Sequence, residues 1–386
     1  MMRKRLQKTK VLLSIFIIIV LCFSGCAKSE DESSIWKEKA HLEGDETEEI
    51  LYEKALLEDI LVVYTVSTRV TKVKESFEKT YPGLCVEIRD LRSPELIKAV
   101  KSCYLDGKSE CDIVICNGNS GDFKNELVDA GYVVPYMPDD IAGKMKEGHV
   151  GEIVSFLDEA EMLFYNTDKY EECPIQNIWE LTEPRYQGKI YLPSPLRSFS
   201  TFAFCGMTAS YQEELAVAYE AYFGEHYDDK WGSPDEFLWR GIARNAVFTN
   251  SSDEVCEQLG NGAKEADFGI MVSSKYRYKE IGYTIEPVYE LVPFSGCVTN
   301  YALMMAAGSR NVNAAKLFIR YLLGEEDGKG DGYQPFCTLG TWSARKDVSD
   351  GNPVRIEDTD LLQTDAEDLN RNRKRVEEFW SELLAK

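Results

Sequence analysis

Histidine is almost missing from this 386-residue chain: His41, His149 and His226 are all it has, and they are scattered. There is no Gly-x-Ser-x-Gly elbow, no His-Glu-x-x-His pair, and no Ser or Cys placed beside a histidine in the sequence. Hydrolytic catalysis therefore has no visible starting point. Eleven cysteines are present, but none forms Cys-x-x-Cys or a Cys-His spacing, so neither a zinc site nor any other metal centre is legible, and no cofactor is expected. Positive charge is short as well, with 44 basic against 66 acidic residues and a net charge of −22. Such a surface repels phosphate backbones, which excludes nucleic acid as a partner. Long apolar runs are missing except for Val11 to Leu21, well below the ~20 residues that a membrane span needs.

What stands at the N-terminus gives that run a meaning. Met1 to Lys10 carry five basic side chains and no acid, the apolar run follows, and Phe23, Ser24 and Gly25 lead into Cys26. This order predicts a signal peptide over residues 1–25 ending in a lipobox, with Cys26 as the lipidated first residue. A cut elsewhere and an uncleaved anchor are the alternatives. Two acyl chains suffice for stable anchoring on the extracytoplasmic face of the cell membrane. Loss of residues 1–25 removes five positive charges and no negative ones, and turns −22 into −27. Residues 26–59 concentrate acids, among them Glu30, Asp31, Glu32, Glu43 and Asp45, and read as a solvated acidic tether, helical near Glu49 to Leu57. Of the nine cysteines that remain, Cys85, Cys116 and Cys205 sit in apolar stretches as small hydrophobes. An odd number of scattered thiols in an exported chain suits a reducing habitat and leaves disulfide pairing open.

The body alternates strand and helix. Leu61 to Thr65 is a compact apolar strand, and Val70, Val73, Phe77 and Tyr81 share one helical face that Pro82-Gly83 ends. Cys85 to Ile88 reads as a strand, Ser93 to Tyr104 as a helix with Pro94 in its first turn, and Cys111 to Cys116 as a third strand. That alternation argues for a parallel sheet with right-handed crossovers. In open α/β sheets ligands sit beyond the strands' carboxyl ends, where this order puts Ser67, Thr68, Asn117 and Asn119. A second such junction is Tyr186 to Thr201. Here Lys189 to Leu192 forms a strand, Pro193 and Pro195 stop it, and Ser198, Ser200 and Thr201 open a helix preceded by Arg197. Free N–H groups, a positive dipole end and three hydroxyls would together receive an anion. Ordinary capping and turn chemistry explain the same residues. A third junction follows the strand Ala266 to Val272, at Ser273 and Tyr276. The aromatics of Ser200 to Phe223, such as Phe204 and Tyr219, read as packing.

Trp179, Glu180, Pro184, Tyr186, Gly188, Lys189, Ile190, Pro193 and Pro195 together resemble the signature of solute-binding proteins of ABC transporters. The subgroup it is most similar to binds ferric ion, thiamine, polyamines or phosphate esters. Glu161 to Asn166 resembles that family's crossing strand, with Tyr165 and Asn166 as its aromatic-Asn pair, and Asn311 to Leu323 resembles the helix after the return crossing. The resemblance runs from Leu61 to Arg345. It implies an α/β, two-lobed periplasmic-binding-protein-like fold of type 2, with a ligand cleft between the lobes. The lobes would be residues 60–160 and 161–292, with 293–346 returning to the first lobe and hinge, and 347–386 an acidic tail with a C-terminal helix. It implies hinge closure on a small-molecule solute, delivery to ABC permease subunits, and no chemical transformation. The spacing from Trp179 to Pro184 is one residue shorter than the signature has. The adjacent tyrosines of ferric binders are here Tyr276 and Tyr278, split by Arg277, which argues against iron. The expected solute is a phosphate ester or phosphonate, held by Arg197, Ser198, Ser200 and Thr201. Ser67, Thr68, Asn117, Asn119, Ser273 and Tyr276 would face it. Two alternatives stay open: a lipoprotein that reports occupancy to a membrane two-component kinase, and a ferric or cation-binding member of the same family.

Overall fold

The computed structural model describes residues 35–107, 110–118, 121–262 and 265–385. The expected signal peptide, Cys26 with its expected lipidation, and Asn119 lie outside them. In the first lobe, β1 (Leu61–Thr65), β2 (Val86–Asp90) and β3 (Ile113–Asn117) lie parallel in the order β2-β1-β3. Helices cover both faces. α1 (Glu48–Ala55) and α2 (Val70–Thr80) press on one face, and α3 (Ser93–Leu105) on the other. Val70, Val73 and Phe77 are the buried side of α2, as their spacing predicts. A short β4 (Val133–Val134) follows.

The chain then crosses. β5 (Ser155–Asn166) is buried along all twelve residues and serves both lobes. A second parallel set is built from β6 (Ile190–Pro193), β7 (Ala246–Thr249) and β8 (Phe268–Val272), dressed by α4 (Phe199–Thr208), α5 (Gln212–Phe223), α6 (Pro234–Asn245) and α7 (Ser252–Gly260). After β9 (Ile285–Pro287), β10 (Gly296–Ala306) runs back antiparallel to β5 and pairs with β3. One mixed sheet results, ordered β2-β1-β3-β10-β5-β8-β6-β7, in which β5 and β10 are the two strands shared by the lobes. α8 (Val312–Leu322) returns to the first lobe, β11 (Trp342–Ser343) pairs with β5, β12 (Leu361–Leu362) with β10, and α9 (Ala366–Leu384) ends the chain.

Two expectations need correction. The acidic segment before β1 is not a solvated tether over its described part. Leu51 and Ala55 are one helical turn apart, so α1 buries both against α8, and Trp36 Nε1 donates to the Ser309 carbonyl at 2.9 Å. The expected C-terminal helix is present as α9, but it is packed into the fold and is not part of a tail. Leu369, Val376 and Trp380 recur on one face and enter the second lobe's core. The aromatic-rich segment Ser200 to Phe223 is carried by two helices, α4 and α5. Tyr211 leaves the helical region at φ −115°, and Gln212 Nε2 donates to the Ala209 carbonyl to start α5 afresh. All nine described cysteines are free thiols.

Candidate functional site

Between the lobes lies a cavity of about 1250 Å³. Val66 follows β1, Arg92 follows β2 and Asp122 follows β3 on its first wall. Arg197, Ser198 and Phe202 form the second, joined by Asn250 after β7 and by Arg373 and Glu377 of α9. Both parallel sets thus feed the cavity from their carboxyl ends, where loops are free to carry polar groups.

Two helices start on these walls. Pro94 stands in the first turn of α3, and the Glu95 carboxylate accepts from the Arg92 N–H at 3.4 Å. Ser198 caps α4, its Oγ accepting from the Thr201 N–H at 3.3 Å. Each start carries an exposed arginine, Arg92 on the first lobe and Arg197 on the second. Neither is in an ion pair among the described residues; Arg197 Nη1 donates only to Asn250 Oδ1, at 2.8 Å. Arg373 differs, being committed to Asp122 and to Glu377.

The hinge strand carries Asp158, Glu159 and Glu161, all buried, and a buried carboxylate needs partners. Each finds them on a different element. His149 Nε2 lies 2.8 Å from Asp158, and burial notwithstanding, that carboxylate raises the His149 pKa above its usual value. Arg69, from the turn after β1, pairs with Glu159 and lays its guanidinium over the Phe336 ring at 4.8 Å. Glu161 has no cation beside it among the described residues. It accepts from Ser200 Oγ at 2.8 Å and from Thr201 Oγ1 at 2.5 Å. Burial pushes its pKa up to about 7, while the two hydroxyls pull the other way.

The residues singled out from sequence are therefore divided. Arg197 and Ser198 line the cavity, whereas the hydroxyls of Ser200 and Thr201 turn inward to Glu161. Ser67 is buried, with its N–H on Thr65 Oγ1, Thr68 is exposed, and Asn117 ends β3 half-buried. Ser273 is buried too, its Oγ donating to the Gly340 carbonyl and accepting from the Ala160 N–H. The Tyr276 hydroxyl donates to Glu286 and accepts from Lys279. Burial and Glu286 raise its pKa, the opposite of what a tyrosinate ligand needs. Among the described residues no three His, Cys, Asp or Glu side chains gather as a metal site. Sequence reading passed over Arg92 and Glu161. Their signals were an arginine just before Ser-Pro at a helix start, and a third acid, after Asp158 and Glu159, inside an otherwise apolar run.

Two α/β lobes that share a pair of crossing strands and enclose a polar cleft define the two-lobed fold of type 2 periplasmic binding proteins. The pattern of bacterial extracellular solute-binding proteins matches residues 64–329, and the chain belongs to that family. Solved structures with the same fold include iron-bound HitA from Pseudomonas aeruginosa, at 14% identity and TM-score 0.61 over 84% of this chain and 99% of that one. AfuA from Actinobacillus pleuropneumoniae with exogenous fructose-6-phosphate bound is 18% identical, at TM-score 0.61 over 84% and 98%. A ferric binding protein from Campylobacter jejuni is 17% identical, at TM-score 0.59 over 84% and 99%. No curated protein sequence matches the chain.

Proposed function

We propose that this solute-binding protein, anchored outside the cell through Cys26, captures a small anionic solute between its lobes and delivers it to an ABC permease. A phosphate ester or phosphonate fits best. The observation that carries the reading is the facing pair Arg92 and Arg197, one from each lobe, each at a helix start and neither neutralised. A solute bridging them would meet two guanidiniums and two positive dipole ends, and would favour the closed state by touching both walls. Most acids of the cavity are already engaged: Asp122 and Glu377 share Arg373, and Glu95 serves the start of its own helix, which leaves Asp90, at the end of β2, as the one lining acid that a bound anion has to avoid. AfuA, with its bound fructose-6-phosphate, makes a sugar phosphate a natural first probe. A net charge of −27 slows an anion's approach, but screening over ~8 Å at physiological salt confines that to a rate effect.

Calorimetry against sugar phosphates, phosphonates, polyamines, thiamine and ferric citrate tests it. Phosphate esters should bind, and Arg92→Ala or Arg197→Ala should each weaken binding by about 1.5–3 kcal/mol, the worth of a hydrogen bond to a charged group. Tight binding of a polyamine or thiamine, or an anion indifferent to both substitutions, ends the reading. For the anchor, incorporation of labelled lipid into a Cys26→Ala precursor would refute acylation at that residue.

A further inference from the structure

Glu161 stands where β5 changes partners, opposite Cys297 of β10 on one side and Val272 of β8 on the other. It is fully buried, and among the described residues the donors to its carboxylate are hydroxyls from the first turn of α4. The other end of that turn faces the cleft through Arg197, Ser198 and Phe199. A chain of hydroxyls connects the two ends: Ser198 Oγ is 3.2 Å from Ser200 Oγ and 2.9 Å from Thr201 Oγ1.

Each of these hydroxyls has one proton to give. With Glu161 ionised, Ser200 and Thr201 spend theirs on the carboxylate, and the helix start already holds one negative charge. With Glu161 protonated, its own O–H can donate to Ser200 Oγ. The Ser200 and Thr201 protons then turn toward Ser198, whose hydroxyl becomes free to donate into the cleft. We infer that Glu161 is a resident anion competing with the solute for the start of α4, so that an anionic solute is taken up together with one proton, drawn from solvent onto the Glu161 carboxylate.

This rests on the oxyanion reading of the cleft. Other groups around Glu161 do not displace it from the role. Glu159, two residues back on the same strand, is ion-paired with Arg69 and adds to the cost of a second charge. The thiols of Cys205 on α4 and Cys297 on β10 are held protonated by burial, and β8 offers only Val272 at this level. Burial has also moved the carboxyl into the neutral range, where a nearby anion alters its protonation.

The test is calorimetric titration of the full chain with sulfate, whose charge is constant from pH 6 to 8.5, so that the probe does not titrate. Sulfate affinity of the wild type should fall about tenfold over that range, a coupling of the usual size between two sites. Its binding heat should vary with the buffer's ionisation enthalpy in the sense of proton uptake. In Glu161→Gln both dependences should shrink to the part that His149, kept in that variant, contributes, so that the difference between the two proteins reports Glu161 alone. Sulfate binding without proton uptake in the wild type, a measurement that needs no variant, overturns the inference while leaving the cleft an oxyanion site. A pH slope that is as steep in Glu161→Gln as in the wild type does the same. Absence of sulfate binding from both proteins removes the oxyanion reading and this inference together.

Discussion

Thr201 Oγ1 lies 2.5 Å from Glu161 Oε1, and this contact ties the first turn of α4 to the strand shared by both lobes. Both residues are buried, so the hydrogen bond is part of the fold as well as of the cleft's edge. Sequence alone suggests that removing the Ser200 and Thr201 hydroxyls would weaken solute binding and spare stability. The structure argues otherwise, because each hydroxyl that is lost leaves a buried carboxylate short of a donor.

Thr201→Val should therefore destabilise the protein by about 1–3 kcal/mol at pH 8, the cost of a buried acceptor left unsatisfied. At pH 5, where Glu161 is protonated, the loss should be smaller. Urea unfolding at the two pH values checks this. An equal loss at both would mean that the methyl and hydroxyl positions matter only as shape.

Glu161 also sets a pH dependence. Its folded pKa of about 7 is above the unfolded value of 4.5, so the folded state holds the proton more tightly. Stability linked to this group is complete below pH 4.5 and is lost as pH rises toward 7 and through it. A gap of that size corresponds to about 3 kcal/mol. Glu161→Gln should flatten the stability profile between pH 4.5 and 7.5 by roughly that much, with the wild type gaining on it toward acid. His149, whose pKa is also raised, contributes stability that is lost as pH rises through its folded value, and Glu161→Gln keeps that contribution. Parallel profiles for the two proteins would show that Glu161 titrates normally.

Much of this architecture was readable before any coordinates. Val70, Val73 and Phe77 announced α2 by their spacing, Pro94 marked the start of α3, and the strand-helix alternation implied parallel strands with polar turns at their carboxyl ends. Periodicity is local, and these features depend on neighbours in sequence. The partner of Thr201 is 40 residues away, and nothing in the run of Glu161 to Asn166 says which helix will cover its acid. Nor does an acidic composition say that α1 will dock, since two apolar residues, Leu51 and Ala55, decide it. The site was legible to the extent that it consists of turn residues and helix starts. It was not legible where a side chain has to choose between the cleft and the core, as Ser198 and Ser200 do.

Trp380 tests the second of those tertiary surprises. Its ring is fully buried, edge-on to Trp239 at 5.8 Å and to Phe248 at 6.0 Å, so α9 is part of the second lobe's core. Trp380→Ala should cost about 3–5 kcal/mol, as large aromatic deletions in cores do. Chemical denaturation followed by far-UV circular dichroism measures it. A change below about 1 kcal/mol would return α9 to the status of a removable tail.

The last prediction concerns the pair Arg373 and Asp122, which links α9, seated on the second lobe, to the turn after β3 in the first. Both side chains are partly exposed, so the ion pair should add less than about 1 kcal/mol to global stability. Its position matters more than its strength. The tie spans the cleft, with the guanidinium also set over the Phe202 ring at 6.0 Å, and it has to lengthen whenever the lobes separate. Even a fraction of a kcal/mol placed there is felt in full by a hinge equilibrium, because opening breaks this contact while leaving each lobe's core intact. Asp122→Asn should accordingly leave the melting temperature nearly unchanged, enlarge the solute-free protein's radius of gyration in small-angle scattering, and lower solute affinity by a factor below about ten. In the solute-free radius of gyration, high salt should mimic the substitution in the wild type and have little effect on the variant. A radius of gyration and an affinity that ignore both salt and Asp122→Asn would show that the lobes are held apart or together by the crossing strands alone.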